Sequence, residues 1–243
     1  MEEERANTLA QNTKTKSKPD AMNTFLVVIA ILLAVFAIRH PLVWFTHSRH
    51  SLERAIKRGN VEAMTRAIAK GSDVNVVYES GSTPLTTACR YGRRDQELLK
   101  SHKFELRQRR IREMLQLLID SGADINAVDR HGRTALFSAT HQPFFGYPKP
   151  SPAAIQEHTK LVAMLLDKGA NPNIEDSSRI MPLGNAINAS FQDNNFQVVE
   201  LLIKAGADVN VRNRIGGRRL LKSAIEGRDK AIAELLRKHG AKE

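Results

Sequence analysis

Gly71-Ser72-Asp73-Val74-Asn75, Gly122-Ala123-Asp124-Ile125-Asn126, Gly169-Ala170-Asn171-Pro172-Asn173 and Gly206-Ala207-Asp208-Val209-Asn210 are four copies of one word, and Gly240-Ala241 begins it a fifth time. Such recurrence narrows the possible folds more than composition does, because every copy must adopt the same local structure and bury its apolar face against the next. A second word runs in phase with the first. Leu followed three residues later by Ala occurs at Leu52/Ala55, Leu85/Ala88, Leu136/Ala139, Leu183/Ala186 and Leu221/Ala224, which places each pair on one helical face. From Gly to the next Ala the spacing is 17 three times and 18 once; from Ala to the next Gly it is 16, 34, 30, 20 and 16. The shortest unit is therefore 33 residues, with insertions of 18, 14 and 4 at one place in units two, three and four.

Each Gly follows a second apolar stripe, such as Met114, Leu115, Leu117, Leu118 and Ile119, or Leu161, Val162, Met164, Leu165 and Leu166. There it serves as the left-handed residue that ends a helix. The Asp and Asn after it supply turn chemistry. They recur at one fixed place, which argues against reading Asp124 and Asp208 as a catalytic pair. The expectation is an all-α chain of helix-loop-helix units joined by extended turns.

Together with Gly81-Ser82-Thr83-Pro84-Leu85-Thr86-Thr87-Ala88, Gly132-Arg133-Thr134-Ala135-Leu136 and Met181-Pro182-Leu183, this 33-residue unit resembles the ankyrin repeat. The resemblance covers residues 48–243 and implies a solenoid of about five units, about 48–76, 77–127, 128–174, 175–211 and 212–243, with long insertions in units two and three. The first and last units are expected to act as caps. The sequence departs from the family at the place usually held by His, which here is Thr86, Phe137, Gly184 and Lys222, and Arg179 stands where a Gly is expected. Gly184 inside a helix costs about 1 kcal/mol against Ala. The resemblance implies binding of another protein through an extended surface, with no small-molecule substrate and no cofactor.

Enzyme signatures are lacking in the sequence. The eight His show no metal-ligand spacing, and no glycine-rich phosphate loop or nucleophile elbow occurs. The single cysteine, Cys89, excludes an intramolecular disulfide framework and reads as a small buried hydrophobe.

Ahead of the repeats, residues 1–20 form a polar tail. Every residue from Phe25 to Ile38 is apolar, and Trp44-Phe45 stands where an interfacial pair would sit. Residues 21–45 are expected to form a single transmembrane helix with its interfacial flank, since about 20 apolar residues span a bilayer. The alternatives are a cleaved secretory signal ending at Val35-Phe36-Ala37, which would make the protein an exported binding protein, and a helix buried in a soluble fold. Lys14, Lys16 and Lys18 before the segment nearly balance Arg39, Arg49 and Arg54 after it, so the side of the membrane carrying the repeats stays open.

The formal net charge of +11 favours an acidic partner. In the unit-two insertion, Arg107, Arg109, Arg110 and Arg112 are candidate contacts on helices expected to be elongated and to project from the stack; a solvated charged extension is the alternative. In unit three, Phe144, Phe145 and Tyr147 within Gln142–Pro152 are candidate aromatic anchors, or fold back on the neighbouring insertion. Ser151 and Pro152 then restart a helix as N-cap and first helical residue. Arg212, Arg214, Arg218 and Arg219 on the last turn complete the candidates. Nucleic acid is the least favoured partner, because a membrane anchor argues against it. The functional expectation is a membrane-anchored protein-protein interaction module for an acidic partner.

Overall fold

The computed structural model describes residues 50–91, 101–140, 151–193, 196–211, 219–227 and 229–242. Residues 21–45, the candidate transmembrane segment, lie outside them. Among the described residues no helix is long and apolar enough to cross a membrane.

The described helices are α1 (residues 50–58), α2 (Val61–Ala69), α3 (Pro84–Cys89), α4 (Ser101–Asp120), α5 (Ala135–Thr140), α6 (Pro152–Asp167), α7 (Pro182–Asp193), α8 (Phe196–Lys204), α9 (Leu220–Glu226) and α10 (Lys230–Lys238). They alternate between two layers. The first helices α3, α5, α7 and α9 pack in chain order, the second helices α2, α4, α6, α8 and α10 do the same, and from unit two onward each first helix packs on its own second helix. The Leu and Ala of the second sequence word form the seam: Leu52, Leu85, Leu136, Leu183 and Leu221 are all buried, as are Ala55, Ala88, Ala139, Ala186 and Ala224. Ala on one helix lets the next approach closely, and Leu fills the remaining space.

The Gly of each word ends a second helix in the expected way. Gly122 has φ 89°, its N–H donates to the Ile119 carbonyl at 2.9 Å, and Ala123 N–H reaches the Leu118 carbonyl at 3.0 Å. A Cβ on Gly122 would meet nothing within 4 Å, so the backbone angle alone selects glycine there.

The Asn that closes each word joins neighbouring units. Asn75 Nδ2 donates to the Gly122 carbonyl at 3.0 Å, and its Oδ1 accepts from Asp124 N–H at 2.7 Å. Asn126 repeats this onto Gly169 and Asn171, Asn173 onto Gly206 and Asp208, and Asn210 Oδ1 accepts from Lys242 N–H at 2.9 Å. The preceding Asp or Asn orients each bridge: Asp73, Asp124, Asn171 and Asp208 accept from the N–H two residues on at 2.8–2.9 Å. The word therefore stops a helix and then fastens one unit to the next. Asn126→Ala removes two bonds at the centre of the stack and should cost about 1–2 kcal/mol, read as a lower urea midpoint with an unchanged m-value.

The insertions differ from expectation. In unit two only the second helix is elongated: α3 has 6 residues and α4 has 20. The unit-three insertion likewise lengthens α6 to 16 residues, against 9 in α2, α8 and α10. The added turns of α4 do not project freely, since Phe104 and Ile111 are buried and α4 and α6 pack together. Ser151 and Pro152 do restart a helix, with Ile155 N–H donating to the Ser151 carbonyl at 3.0 Å.

The family's missing His is compensated locally. Thr83 and Thr86 cap each other reciprocally at the start of α3, with Thr86 Oγ1 accepting from Thr83 N–H at 2.9 Å and Thr83 Oγ1 from Thr86 N–H at 3.2 Å. In unit four the residue after Gly184 does the work: buried Asn185 donates through Nδ2 to the Phe137 carbonyl at 3.2 Å and to Thr140 Oγ1 at 3.1 Å.

Candidate protein-binding surface

Between units the chain runs out into short tight turns, the fingers, of which residues 77–82, 128–133 and 175–180 are described. Each closes on itself. Asp129 N–H donates to the Arg133 carbonyl and Gly132 N–H to the Asp129 carbonyl, and Asp176 with Ile180 and Arg179 repeats the pattern. The fingers also join one another, Arg130 N–H to the Gly81 carbonyl at 2.7 Å and Ser177 N–H to the His131 carbonyl at 2.8 Å. Asp129 and Asp176 are buried. Oδ1 of Asp129 accepts from the N–H groups of His131 and Arg133, and Oδ1 of Asp176 from those of Ser178 and Ile180. The second oxygen of each faces an arginine of the preceding unit: Arg90 is 3.8 Å from Asp129, and Arg133 is 3.4 Å from Asp176. Arg90 is further held by hydrogen bonds to the Ser82 hydroxyl and the Thr86 carbonyl. These arginines are structural struts.

What the fingers expose is different in kind. Val77 is 53% exposed and Val128 45%, and the two occupy the same place in consecutive repeats. Arg130 and His131 are exposed at the second described tip and Arg179 at the third. Arg179 is the only non-glycine residue with positive φ among the described residues, at 58°; Gly81 and Gly132, in the same place on the other two fingers, have φ 72° and 71°. A side chain in that conformation costs about 1–2 kcal/mol. This apolar finger surface lies apart from the insertions, where the sequence-based candidates concentrate. The sequence signal for it is a Val recurring 51 residues apart at one repeat position, Val77 and Val128, just ahead of the finger tip.

The candidates on α4 separate into two groups. Arg107 is 3% exposed, its Nε donates to the Tyr91 carbonyl at 2.6 Å, and its guanidinium lies 5.6 Å from the centre of the Phe104 ring. Arg112 Nη1 meets Glu157 Oε2 of α6 at 2.7 Å, while Lys160 takes Glu157 Oε1 at 2.9 Å. The Lys160 hydrogen bond and the charge of Arg112 hold the Glu157 carboxyl below its ordinary value against the opposing effect of burial. Arg107 and Arg112 thus fasten the long helices together. Arg109 and Arg110 face outward, paired on their own helix with Glu105 at 3.4 Å and Glu113 at 3.2 Å, beside Leu106, which is 58% exposed. Arg219 precedes α9 with its backbone extended at φ −62°, ψ 148°. Phe144, Phe145, Tyr147, Arg212, Arg214 and Arg218 lie outside the described residues.

Beside Arg107, the α4/α6 seam holds a buried histidine. His158 is 2% exposed and its Nε2 lies 2.8 Å from the Ala139 carbonyl. A carbonyl only accepts, so Nε2 carries the proton, and Nδ1 is left buried without a hydrogen-bond partner. Burial lowers the imidazole pKa to about 4, with the Arg107 charge acting in the same direction and the Ala139 bond opposing. The ring is a structural spacer held neutral. Among the described residues no group of three or more His, Cys, Asp or Glu could hold a metal ion, and Cys89 is buried with its Sγ 3.4 Å from the Ala135 carbonyl.

Three curated proteins resemble stretches of the chain. It is 33% identical over 106 residues to the E3 ubiquitin-protein ligase KEG of Arabidopsis thaliana, a match covering 43% of this chain and 5% of that protein. It is 30% identical over 133 residues to the B-cell lymphoma 3 protein homolog of Mus musculus, covering 53% of this chain and 26% of the relative. It is 29% identical over 124 residues to the nuclear factor NF-kappa-B p105 subunit of Gallus gallus, covering 51% and 11%. The chain therefore spans about a quarter or less of each relative. The family model for ankyrin repeats (3 copies) matches residues 52–147 and again 152–243. With the two helix layers, the helix-ending glycines and the finger ladder in place, the chain belongs to the ankyrin-repeat family.

Proposed function

We propose that this chain is a protein-protein interaction module that holds an acidic partner against its finger face, tethered to a membrane through residues 21–45. The observation that carries the binding reading is the exposed finger row, where Val77 and Val128 stand open beside Arg130 and Arg179 while Arg90 and Arg133 are paired with Asp129 and Asp176. Membrane tethering is supported by sequence alone, the unbroken apolar run from Phe25 to Ile38. Capture from native membranes with a photo-crosslinker at position 128 tests the first part. Crosslinks to an acidic protein are expected, and their absence, with crosslinks from a probe at position 110 instead, would move the site to α4.

Carbonate extraction and intact mass test the second part. A chain that stays in the membrane pellet and begins at Met1 supports the tether, whereas a mature protein beginning at Ile38 supports the exported alternative.

The α4 surface is a second reading that rests on Arg109, Arg110 and exposed Leu106. Because Arg107 and Arg112 are structural, only the outward pair tests it cleanly. Arg109→Glu with Arg110→Glu is expected to change stability by no more than about 0.5 kcal/mol per site. Loss of partner capture in that variant, with an unchanged melt, would place the partner on α4; unchanged capture leaves the fingers.

A further inference from the structure

Arg179 is held in a backbone conformation that the equivalent fingers reserve for glycine, and among the described residues its guanidinium makes no hydrogen bond or ion pair. A charged side chain kept against backbone preference, with no partner among the described residues, points to an external one. One finger earlier, Arg130 is poised in a different way. Its stem lies across Gly81, where an added Cβ would fall 2.5 Å from Arg130 Cβ, and its Nε is 3.1 Å from His131 Nε2. Arg90 and Arg133 are excluded as contacts by their pairing with Asp129 and Asp176. The row is also polarised. Val77 and exposed Glu79 stand at the unit-two end, Val128 and Arg130 follow, and Glu175 and Arg179 come next. In the sequence, Arg212 and Arg214 continue the basic character into the last unit.

We propose that the finger row binds one extended segment of a partner protein whose apolar residues rest on Val77 and Val128 and whose carboxylates, at the other end, engage Arg130 and Arg179. This rests on the finger face being the protein-binding surface. Direction follows from the cations: finger 77–82 carries exposed Glu79 and no basic residue, whereas the next two fingers offer Arg130 and Arg179 against the single exposed acid Glu175, so the acidic end lies toward units three and four. Length follows from geometry, since a ten-residue extended segment reaches about 33 Å and neighbouring units stack about 10 Å apart.

The test uses the full chain in neutral detergent and fluorescence anisotropy of a labelled ten-residue peptide with three valines in its first half and three glutamates in its second. A matched peptide carries glutamines in place of the glutamates. The glutamate peptide is expected to bind about tenfold more tightly, the effect of one charge-assisted contact. Arg179→Gly is expected to raise Tm by about 2–4 °C through relief of the backbone, yet to weaken the glutamate peptide about tenfold and leave the glutamine peptide unchanged. Arg179→Lys should retain most of the affinity. Arg179→Gly with undiminished affinity for the glutamate peptide would overturn the proposal. Equal binding of both peptides, lost in Val128→Asp, would overturn the charge assignment while keeping the finger face as the docking surface. No binding of either peptide by the wild type would overturn the proposal and leave the broader reading to the position-128 crosslink.

Discussion

Leu165→Asp is expected to abolish the cooperative thermal melt of the repeat domain. Leu165 is fully buried on α6, the central second helix, which packs against α4 on one side and α8 on the other. A carboxylate there would sit in the Leu, Ile and Val core, and an uncompensated buried charge costs several kcal/mol. That is a large fraction of the 5–15 kcal/mol that holds a typical domain together. Because each unit is stabilised by its neighbours, a defect in the middle of a stack uncouples both halves. Circular dichroism across a temperature ramp reads the result, with Leu165→Ala as a graded control costing about 2–5 kcal/mol. Leu201→Asp is expected to be milder, since Leu201 on α8 is only half buried. A Leu165→Asp protein that melted cooperatively near the wild-type temperature would contradict the placement of α6.

Acidification is expected to weaken the fold by about 3 kcal/mol between pH 6.5 and pH 4 through His158 alone. Its imidazole pKa is about 4 in the folded chain against 6.5 as the ordinary value. The folded state therefore excludes a proton that the unfolded chain accepts once pH falls below about 6.5. His158 costs no stability above that pH, and the penalty grows as pH falls toward the folded value. Urea midpoints from pH 7.5 to pH 4 should follow this slope, and His158→Gln should flatten it. Glu157, Asp120 and Glu200 have lowered carboxyl values, so their contributions are lost only as pH falls through the carboxylate range, at the acid end of the window. A wild-type slope unchanged in the His158 variant would show that the ring is not held neutral.

Local chemistry repeated in phase is what made most of this fold readable. Glycine at the helix end, Asp and Asn in the following turn, and Leu with Ala three residues on are short-range requirements, so residues such as Gly122, Asn126, Leu136 and Ala139 announce their places. The Asn bridges between units were not legible, because an Asx turn and a clamp to a chain segment 47 residues away use the same residue. The fate of the α4 arginines was hidden for a related reason. Helical periodicity puts Arg107 on the side of Phe104 and Ile111, but whether anything covers that side depends on α6, which is long only because of its own insertion. Arg179 marks a third kind of limit. Its departure from Gly was visible, whereas its retention of the left-handed angle follows from a finger whose hydrogen bonds to Asp176 fix the turn regardless of the side chain.

Hydrogen exchange on the full chain, with and without the captured acidic partner, tests the central claim most directly. The finger segments 77–82, 128–133 and 175–180 are expected to gain protection together on binding, while the outward face of α4 exchanges as before. Protection confined to α4, or no change at the fingers with the partner bound, would contradict it.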